Sequence, residues 1–329
     1  MGRVLWAAAL AYAAWIGVWF ALWLAVRDGA WWLALINRVV PQMLAPAPVM
    51  VMLALASRSR TAVVASLTPL LILGIVYWPY LIPRVARSAD GPALKLMTFN
   101  VLFSNTDHDA VADVILRYRP DLVALQEVQP EMMAALIERL KDVYPFYLMG
   151  AEHPYGTTAA FSRHSLLDAY VLDLQADRPA VVLTVDVAGR PVTFISAHLL
   201  AYGLEWIPPL EFPTTVTERI AEQERQARLL IDEVRKHDDR VILACDCNSK
   251  ETSGAYRILT DHLTSAARVV GWVLAEPTFA GAQRDTDLQH IDYVFYRGDL
   301  SAVEADLIRD TAGSDHLPVL AVVEMTKEE

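Results

Sequence analysis

Little in this chain of 329 residues is available for cross-linking, disorder or repetition. Two cysteines are too few for a disulfide scaffold, and 14 glycines are too few for a collagen-like chain. An apolar content of 54% excludes a disordered one. There is no internal repeat and no low-complexity tract. No P-loop and no serine in a nucleophile elbow occur, so nucleotide switching and acyl transfer find no support. No Cys/His cluster has zinc spacing. The two cysteines, Cys245 and Cys247, stand at i and i+2 in an apolar run that reads as a strand. Their Cα atoms are then expected about 6.6 Å apart, near the limit for a bridge, and both are expected as buried thiols.

Charge is unevenly spread. Residues 1–83 hold five Arg, no Lys and a single acid, Asp28, for a net of +4. The rest carries −15, which gives the whole chain its −11. Val4 to Val26 and Thr61 to Ile82 are uncharged for 23 and 22 residues, against the roughly 20 a bilayer core requires. Val39 to Ala56 is an 18-residue uncharged run interrupted by Pro41, Pro46 and Pro48, a weaker and kinked span. Trp31–Ile36 is expected in the interface, and seven of nine Trp fall in this part of the chain. The first apolar core is too long for a cleaved signal peptide. About three transmembrane helices over residues 1–83 are therefore expected, with a polar linker over 84–92, in a multi-pass protein of the cell membrane. Arg-bearing segments are nearly balanced between the two sides. The short Arg-bearing start resembles a signal anchor, which predicts an inside N-terminus and a large domain outside the cytoplasm.

From residue 93 short β-type runs alternate with amphipathic helices. Strands are predicted at Leu94–Val101, Leu122–Glu127, Ala180–Val187, Val192–His198, Arg240–Asn248, His290–Tyr296 and Pro318–Glu324. Helices are predicted at Asp107–Tyr118, Pro130–Val143 and Thr217–His237. The interleaving predicts a layered α/β domain over 93–329.

Several predicted strands end on, or are flanked by, polar side chains: Asn100, Glu127, His198, Asp246 with Asn248, Asp292, and Asp315 with His316. One such residue is commonplace at a strand end, but the set converges polar groups on one sheet edge. Asn, Asp and Glu offer oxygen, the donor type of a hard cation such as Mg²⁺. Asp246 and Asn248, two apart, are read as facing one side of their strand, where they can hold a water and a phosphoryl oxygen. His198 and His316 can donate to phosphate or move a proton near neutral pH, and Asp292 or Asp315 can orient a His.

In order, Thr98-Phe99-Asn100, Gln126-Glu127, Tyr155-Gly156 with Ser162-Arg163, Ala197-His198, Asp246-Cys247-Asn248, Ile291-Asp292 and Ser314-Asp315-His316 resemble the motifs of the endonuclease/exonuclease/phosphatase, or DNase I-like, family. The resemblance spans residues 93–326. It implies a four-layer α/β sandwich of two packed mixed β-sheets flanked by helices, with Mg²⁺, or Mn²⁺ as an alternative, at the joined strand ends. It implies Glu127 as the main metal ligand, helped by Asn100, with Asp315 beside the metal. Asp246 would orient or deprotonate the attacking water and Asn248 would bind phosphate. His198 and His316 would stabilise developing charge, with Asp292 paired to His316. Two departures stand out. Cys245-Asp246-Cys247-Asn248 replaces the usual Gly-Asp-Phe-Asn. Leu102 and His198 stand where abasic-site repair nucleases of the family carry an acid and Tyr.

A metal-dependent phosphoester hydrolase is therefore expected. The negative domain and the missing Lys/Arg run argue against a polyanion, so a lipid or lipid-headgroup substrate at the bilayer is favoured over nucleic acid. The alternatives are a membrane-tethered nuclease and an inactive phosphate-binding module. The Pro-rich segment from Leu199 to Thr215 has two readings: a loop that packs its large apolar side chains onto its own domain, or one that overhangs the site with Trp206, Ile207 and Phe212 against the bilayer or an acyl chain, Trp206 and Phe212 then being substrate-binding.

Overall fold

A helix rises 1.5 Å per residue, so an uncharged stretch of the length of Val4–Val26 spans a bilayer core. In the computed structural model it forms one helix, α1 (Gly2–Val26). The structure describes residues 2–81, 91–176, 178–204, 207–237, 240–270, 277–280 and 288–326; most of the expected linker, up to residue 90, lies outside them. The next segments are α2 (Trp31–Asn37), α3 (Val40–Leu44), α4 (Ala47–Ala56) and α5 (Arg60–Leu81). Helices α1 and α5 are each long and apolar enough to cross a membrane. The middle segment is broken within the expected Val39–Ala56 run, between α3 and α4. It bends by 66° between Trp31–Asn37 and Val40–Ala56, and makes a third span only if that bent pair counts as one. Pro41 and Pro48 occupy first-turn positions of α3 and α4, where a missing N–H is harmless, so each proline starts a new helix.

The first six-stranded sheet contains β1 (Ala93–Asn100), β2 (Leu122–Val128), β3 (Phe146–Met149), β4 (Thr157–Ser162), β13 (Leu300–Leu307) and β14 (Val319–Met325). Its order is β13-β14-β1-β2-β4-β3. The second contains β5 (Leu166–Leu172), β6 (Ala180–Val187), β7 (Arg190–His198), β8 (Arg240–Asp246), β9 (Thr264–Ser265) and β12 (Asp292–Arg297), in the order β5-β6-β7-β8-β12-β9. A short ribbon pairs β10 (Phe279–Ala280) with β11 (Leu288–Gln289). Each large sheet has one parallel pair, β1 with β2 and β7 with β8, and is otherwise antiparallel.

Alternation along the strands makes the layers. Leu94, Leu96, Leu122 and Ala124 face Leu183, Phe194, Ile242 and Ala244 in a core between the sheets. The opposite faces of β1 and β2, with Met97, Phe99, Val123 and Leu125, are covered by α6 (His108–Tyr118) and α7 (Pro130–Leu140). Those of β7 and β8 are covered by α8 (Phe212–Val234) and α9 (Gly254–Thr260). A five-residue helix, α10 (Ala266–Val270), follows β9. The fold is thus two mixed sheets flanked by helices, behind two to three membrane-spanning helices.

Two local expectations are corrected. Helix α8 starts at Phe212, five residues before the predicted Thr217, because Pro213 sits in its first turn. Cys245 and Cys247 are buried but joined in a disulfide, not free. Strand β8 ends at Asp246 and Asn248 has φ +47°, so the chain has already turned and the Cα atoms lie 5.2 Å apart.

Candidate active site

The parallel pairs bring the carboxyl ends of β1, β2, β7 and β8 to one rim. In the second sheet, register places His198 beside Asp246 and Asp246 beside Asp292, one row across three strands. Asn100 at the end of β1 closes the row from the other sheet: its Nδ2 donates to Asp246 Oδ2 at 2.9 Å. The loop before β14 is pinned to the same place. Ser314 Oγ donates to the Asn100 carbonyl at 2.6 Å and accepts from the His316 amide at 3.0 Å. His316 Nδ1 meets Asp292 Oδ2 at 2.9 Å.

Glu127 stands on a bulge. The β2–β4 register shifts between Leu125 and Val128, and Glu127 has φ +60°. Leu102 and Asn248, at φ +64° and +47°, are left-handed as well. Three non-glycine residues at one rim in this region mark a backbone held by its surroundings for a local purpose. Gly156 faces the bulge at a distance only glycine permits: a Cβ there would lie 2.3 Å from the Glu127 carbonyl carbon and oxygen. The Glu127 carboxylate accepts from the Phe103 amide at 3.0 Å and lies 4.0 Å from His198 Nε2. Asn248 is not on the strand, so the same-face argument does not apply to it. A turn returns its amide to Asp246 Oδ1 at 3.1 Å and its Nδ2 to the Leu199 carbonyl at 3.0 Å and His198 Nε2 at 3.1 Å.

Burial governs the electrostatics. Asp246 and Asp292 are each about 1% exposed and adjacent in the sheet. Burial and the Asp292 charge push the Asp246 carboxyl up to about 7. Burial pulls the His316 imidazole down, but the carboxylates of Asp292 and Asp246 outweigh it and push it up to about 10. His198 has no such pair. Burial, then the Arg178 guanidinium, hold it well below the usual histidine range, so it is neutral. Asp292 Oδ1 is buried with no hydrogen-bond partner among the described residues.

That orphaned oxygen bears on whether a cation fits. Asp246, Asp292 and His316 each offer a ligand atom within 4.8 Å of the others. Two of the three ligand atoms are carboxylate oxygens, and two adjacent buried carboxylates need a proton or a cation between them. The residues present suit a hard cation.

Of the residues singled out in the sequence, Asn100, Glu127, His198, Asp246, Asn248, Asp292 and His316 come together here. Asp315 is half-buried, and its charge acts on His316. Ser162 and Arg163 lie elsewhere, Arg163 pairing with Asp121 ahead of β2. Trp206 lies outside the described residues. Phe212 does not overhang the site; it packs edge-on against Trp31 of α2, ring centroids 6.0 Å apart. Arg178 escaped the sequence reading. Its Nη1 lies 3.1 Å from His198 Nδ1 and its Nη2 3.9 Å from Glu127 Oε1. A lone Arg-Pro ahead of a strand gives no signal of that role.

A model of the Endonuclease/Exonuclease/phosphatase family matches residues 97–316, the stretch that holds every residue of this rim. The chain belongs to the endonuclease/exonuclease/phosphatase family. Solved structures share its fold. Humanized TDP2 of D. rerio is 16% identical with a TM-score of 0.58, covering 71% of this chain and 99% of that one. D. rerio TDP2 complexed with single strand DNA product gives 17%, 0.58, 71% and 99%. An endonuclease/exonuclease/phosphatase from Beutenbergia cavernae gives 23%, 0.55, 71% and 72%. No curated protein matches. These findings correct the preference for a lipid headgroup over nucleic acid. The complexed D. rerio TDP2 structure holds single strand DNA product, and the loop that carried the lipid argument packs Phe212 on α2. The family, the helices and a cation-capable cluster are consistent with a membrane-anchored, metal-dependent phosphoesterase.

Proposed function

We propose that the protein is a membrane-anchored phosphodiesterase that uses Mg²⁺, or Mn²⁺ in its place, to hydrolyse a nucleic-acid phosphodiester. The observation that carries the reading is the row His198–Asp246–Asp292, with Asn100 and His316 closing on it from the other sheet. Glu127, Asn100 and Asp315 would hold the cation. When bound, the cation polarises a phosphoryl oxygen and offsets charge built up on it.

The chain's own groups do the rest. Asp246, held near neutral in its affinity for a proton, orients the attacking water and takes its proton at a carboxylate oxygen. Asn248 and neutral His198, hydrogen-bonded to each other at 3.1 Å, would meet the non-bridging oxygens, Asn248 Nδ2 exchanging that bond for a phosphoryl oxygen when substrate enters. His316 is charged and fixed by Asp292 at Nδ1, which leaves its Nε2, 3.8 Å from Asp246 Oδ2, to meet the negative charge of the transition state. For the substrate, the rings of Phe103 and Tyr155 stand edge to face 5.3 Å apart beside Glu127, and are 37% and 56% exposed. Exposed rings beside a phosphate site suit bases of a single strand. Three membrane crossings would place this domain outside the cytoplasm, which a C-terminal reporter reads directly.

The test is full-length protein in detergent with Mg²⁺ or Mn²⁺ and with EDTA, assayed on a single-stranded oligonucleotide, bis-p-nitrophenyl phosphate and a phosphomonoester. Cation-dependent cleavage of the two diesters is expected. Hydrolysis of none refutes the enzyme reading, and hydrolysis of the monoester alone refutes the substrate class.

A further inference from the structure

Asp28 is the sole acid of residues 1–83, and it is 3% exposed. A carboxyl group buried beside a membrane region costs free energy and needs partners on both oxygens. Its partners here come from both parts of the chain. Oδ1 accepts from Asn37 Nδ2 at 2.6 Å, and Oδ2 accepts from the amide of Gly254, 226 residues away, at 2.6 Å.

Asn37 continues the network. Its Oδ1 accepts from Trp19 Nε1 of α1 at 3.0 Å, and its carbonyl accepts from Thr252 Oγ1 at 2.6 Å. Trp23 Nε1 donates to the Thr252 carbonyl at 2.8 Å. Among the described residues, the bonds from Asp28, Asn37 and Trp23 to the domain end on Thr252 and Gly254, in the loop that follows Asn248, while the neighbouring Arg38 donates to Gln289. On its other flank that loop is held by α8, where Gln223 Nε2 donates to the Asn248 carbonyl at 3.0 Å. Between the two supports Asn248 turns the chain at φ +47°, a conformation open to asparagine, and the bonds on either side fix where that turn sits.

We propose that Asp28 and Asn37 are positioning residues: the corner between α1 and α2 clamps residues 250–254 and thereby sets Asn248 in the site, so that the membrane region is part of the catalytic unit and not only its tether. The inference rests on the phosphodiesterase reading above. A plain anchor needs apolar length alone; it does not need a buried carboxylate and two further polar contacts, from Asn37 and Trp23, aimed at the loop beside Asn248. The clamp acts on the geometry of the phosphate donor, so it is felt in turnover more than in substrate binding.

The test uses full-length protein in detergent, with bis-p-nitrophenyl phosphate and Mg²⁺ for turnover, and amide hydrogen exchange without substrate. Asp28→Ala is expected to lower kcat about 10²-fold with KM little changed. It should raise exchange over residues 247–254 and leave β1 and β2 protected. Asn37→Asp alone sets two carboxylates against each other and should behave alike. The swapped pair Asp28→Asn with Asn37→Asp again has one carboxylate, one amide and an acceptor for Gly254, and should recover both readouts. A merely structural role would lose activity in step with the folded fraction and show no recovery in the swap. Wild-type kcat or wild-type exchange over 247–254 in folded Asp28→Ala overturns the proposal. If that variant does not fold, Thr252→Val removes only the hydroxyl bond to Asn37, and the same two null results overturn the proposal. If wild-type protein hydrolyses no phosphoester, the phosphodiesterase reading fails, and the exchange result alone decides the clamp.

Discussion

Gly156→Ala tests how Glu127 is held. Gly156 has φ +71°, and an added Cβ would lie 2.3 Å from the Glu127 carbonyl carbon and oxygen and 2.6 Å from its Cα. Carbon contacts are comfortable from about 3.5 Å, so the Glu127 backbone has to retreat by about 1 Å. The left-handed conformation costs alanine about 1–2 kcal/mol, and overpacking of this kind adds about 1–3 kcal/mol. Gly189 is the matched control. It has φ +80° with nothing within 4 Å of an added Cβ, so Gly189→Ala bears the conformational cost alone. At 2–4 °C per kcal/mol, Gly156→Ala should melt about 2–12 °C below Gly189→Ala. Displacing Glu127 by about 1 Å should also cost Gly156→Ala about 10²-fold in kcat, while Gly189→Ala turns over like wild type. Thermal unfolding followed by circular dichroism and a diester hydrolysis assay report both quantities. Equal melting and equal turnover of the two variants would show that Gly156 does not support the bulge and that Glu127 is not placed by it.

Three further outcomes are expected. Glu127→Gln removes charge at nearly constant shape, so cation-dependent hydrolysis should vanish with little change in melting temperature; normal turnover would remove Glu127 from the site. His316→Ala and Asp292→Asn should each slow turnover, and the double variant should lose less than the product of the two, because one hydrogen-bonded pair acts as a unit; multiplicative losses would separate them. His316 moves from its ordinary 6.5 up to about 10 in the folded chain, so its contribution to stability is full below pH 6.5 and is lost as pH rises through about 10. In EDTA, the melting advantage of wild type over His316→Gln should therefore shrink from pH 6.5 to 10, and an advantage that grows would reverse the assignment.

The rim was legible because its residues end apolar strands. Seven strands were visible from their apolar runs, and polar Asn100, Glu127, His198 and Asp246 stood out at their ends. What was hidden depended on partners remote in sequence. Strand β4 reads Thr157-Thr158-Ala159-Ala160, weak in β-branched apolar residues, and becomes a buried strand only between β2 and β3. Strand β5 alternates too little to be seen alone, with its residues partly or fully exposed at a sheet edge. Asp292 opposite Asp246 is a fact of register, which no local pattern states. Arg178 and Ser314 act through residues 20 and more than 200 positions away. The loop reading failed for a similar reason. Its apolar side chains find their cover outside the domain, Tyr202, Ile207 and Phe212 clustering with Trp31, Ala34 and Leu35 of the membrane region.

The groups proposed to react are carried by the ends of two sheets, and so the gap between those sheets would be a dimension of the proposed reaction. Asn100 reaches Asp246 and His316 reaches Asp292 across it. Leu96, Leu122, Leu183, Phe194 and Ile242, closed off from solvent and remote from any phosphate, fill it and fix its width. They serve as a spacer block under the jaws of a caliper. A change of core volume that the fold tolerates would still reset the opening at the rim. A variant library screened only for folding would pass cores cut to the wrong gauge.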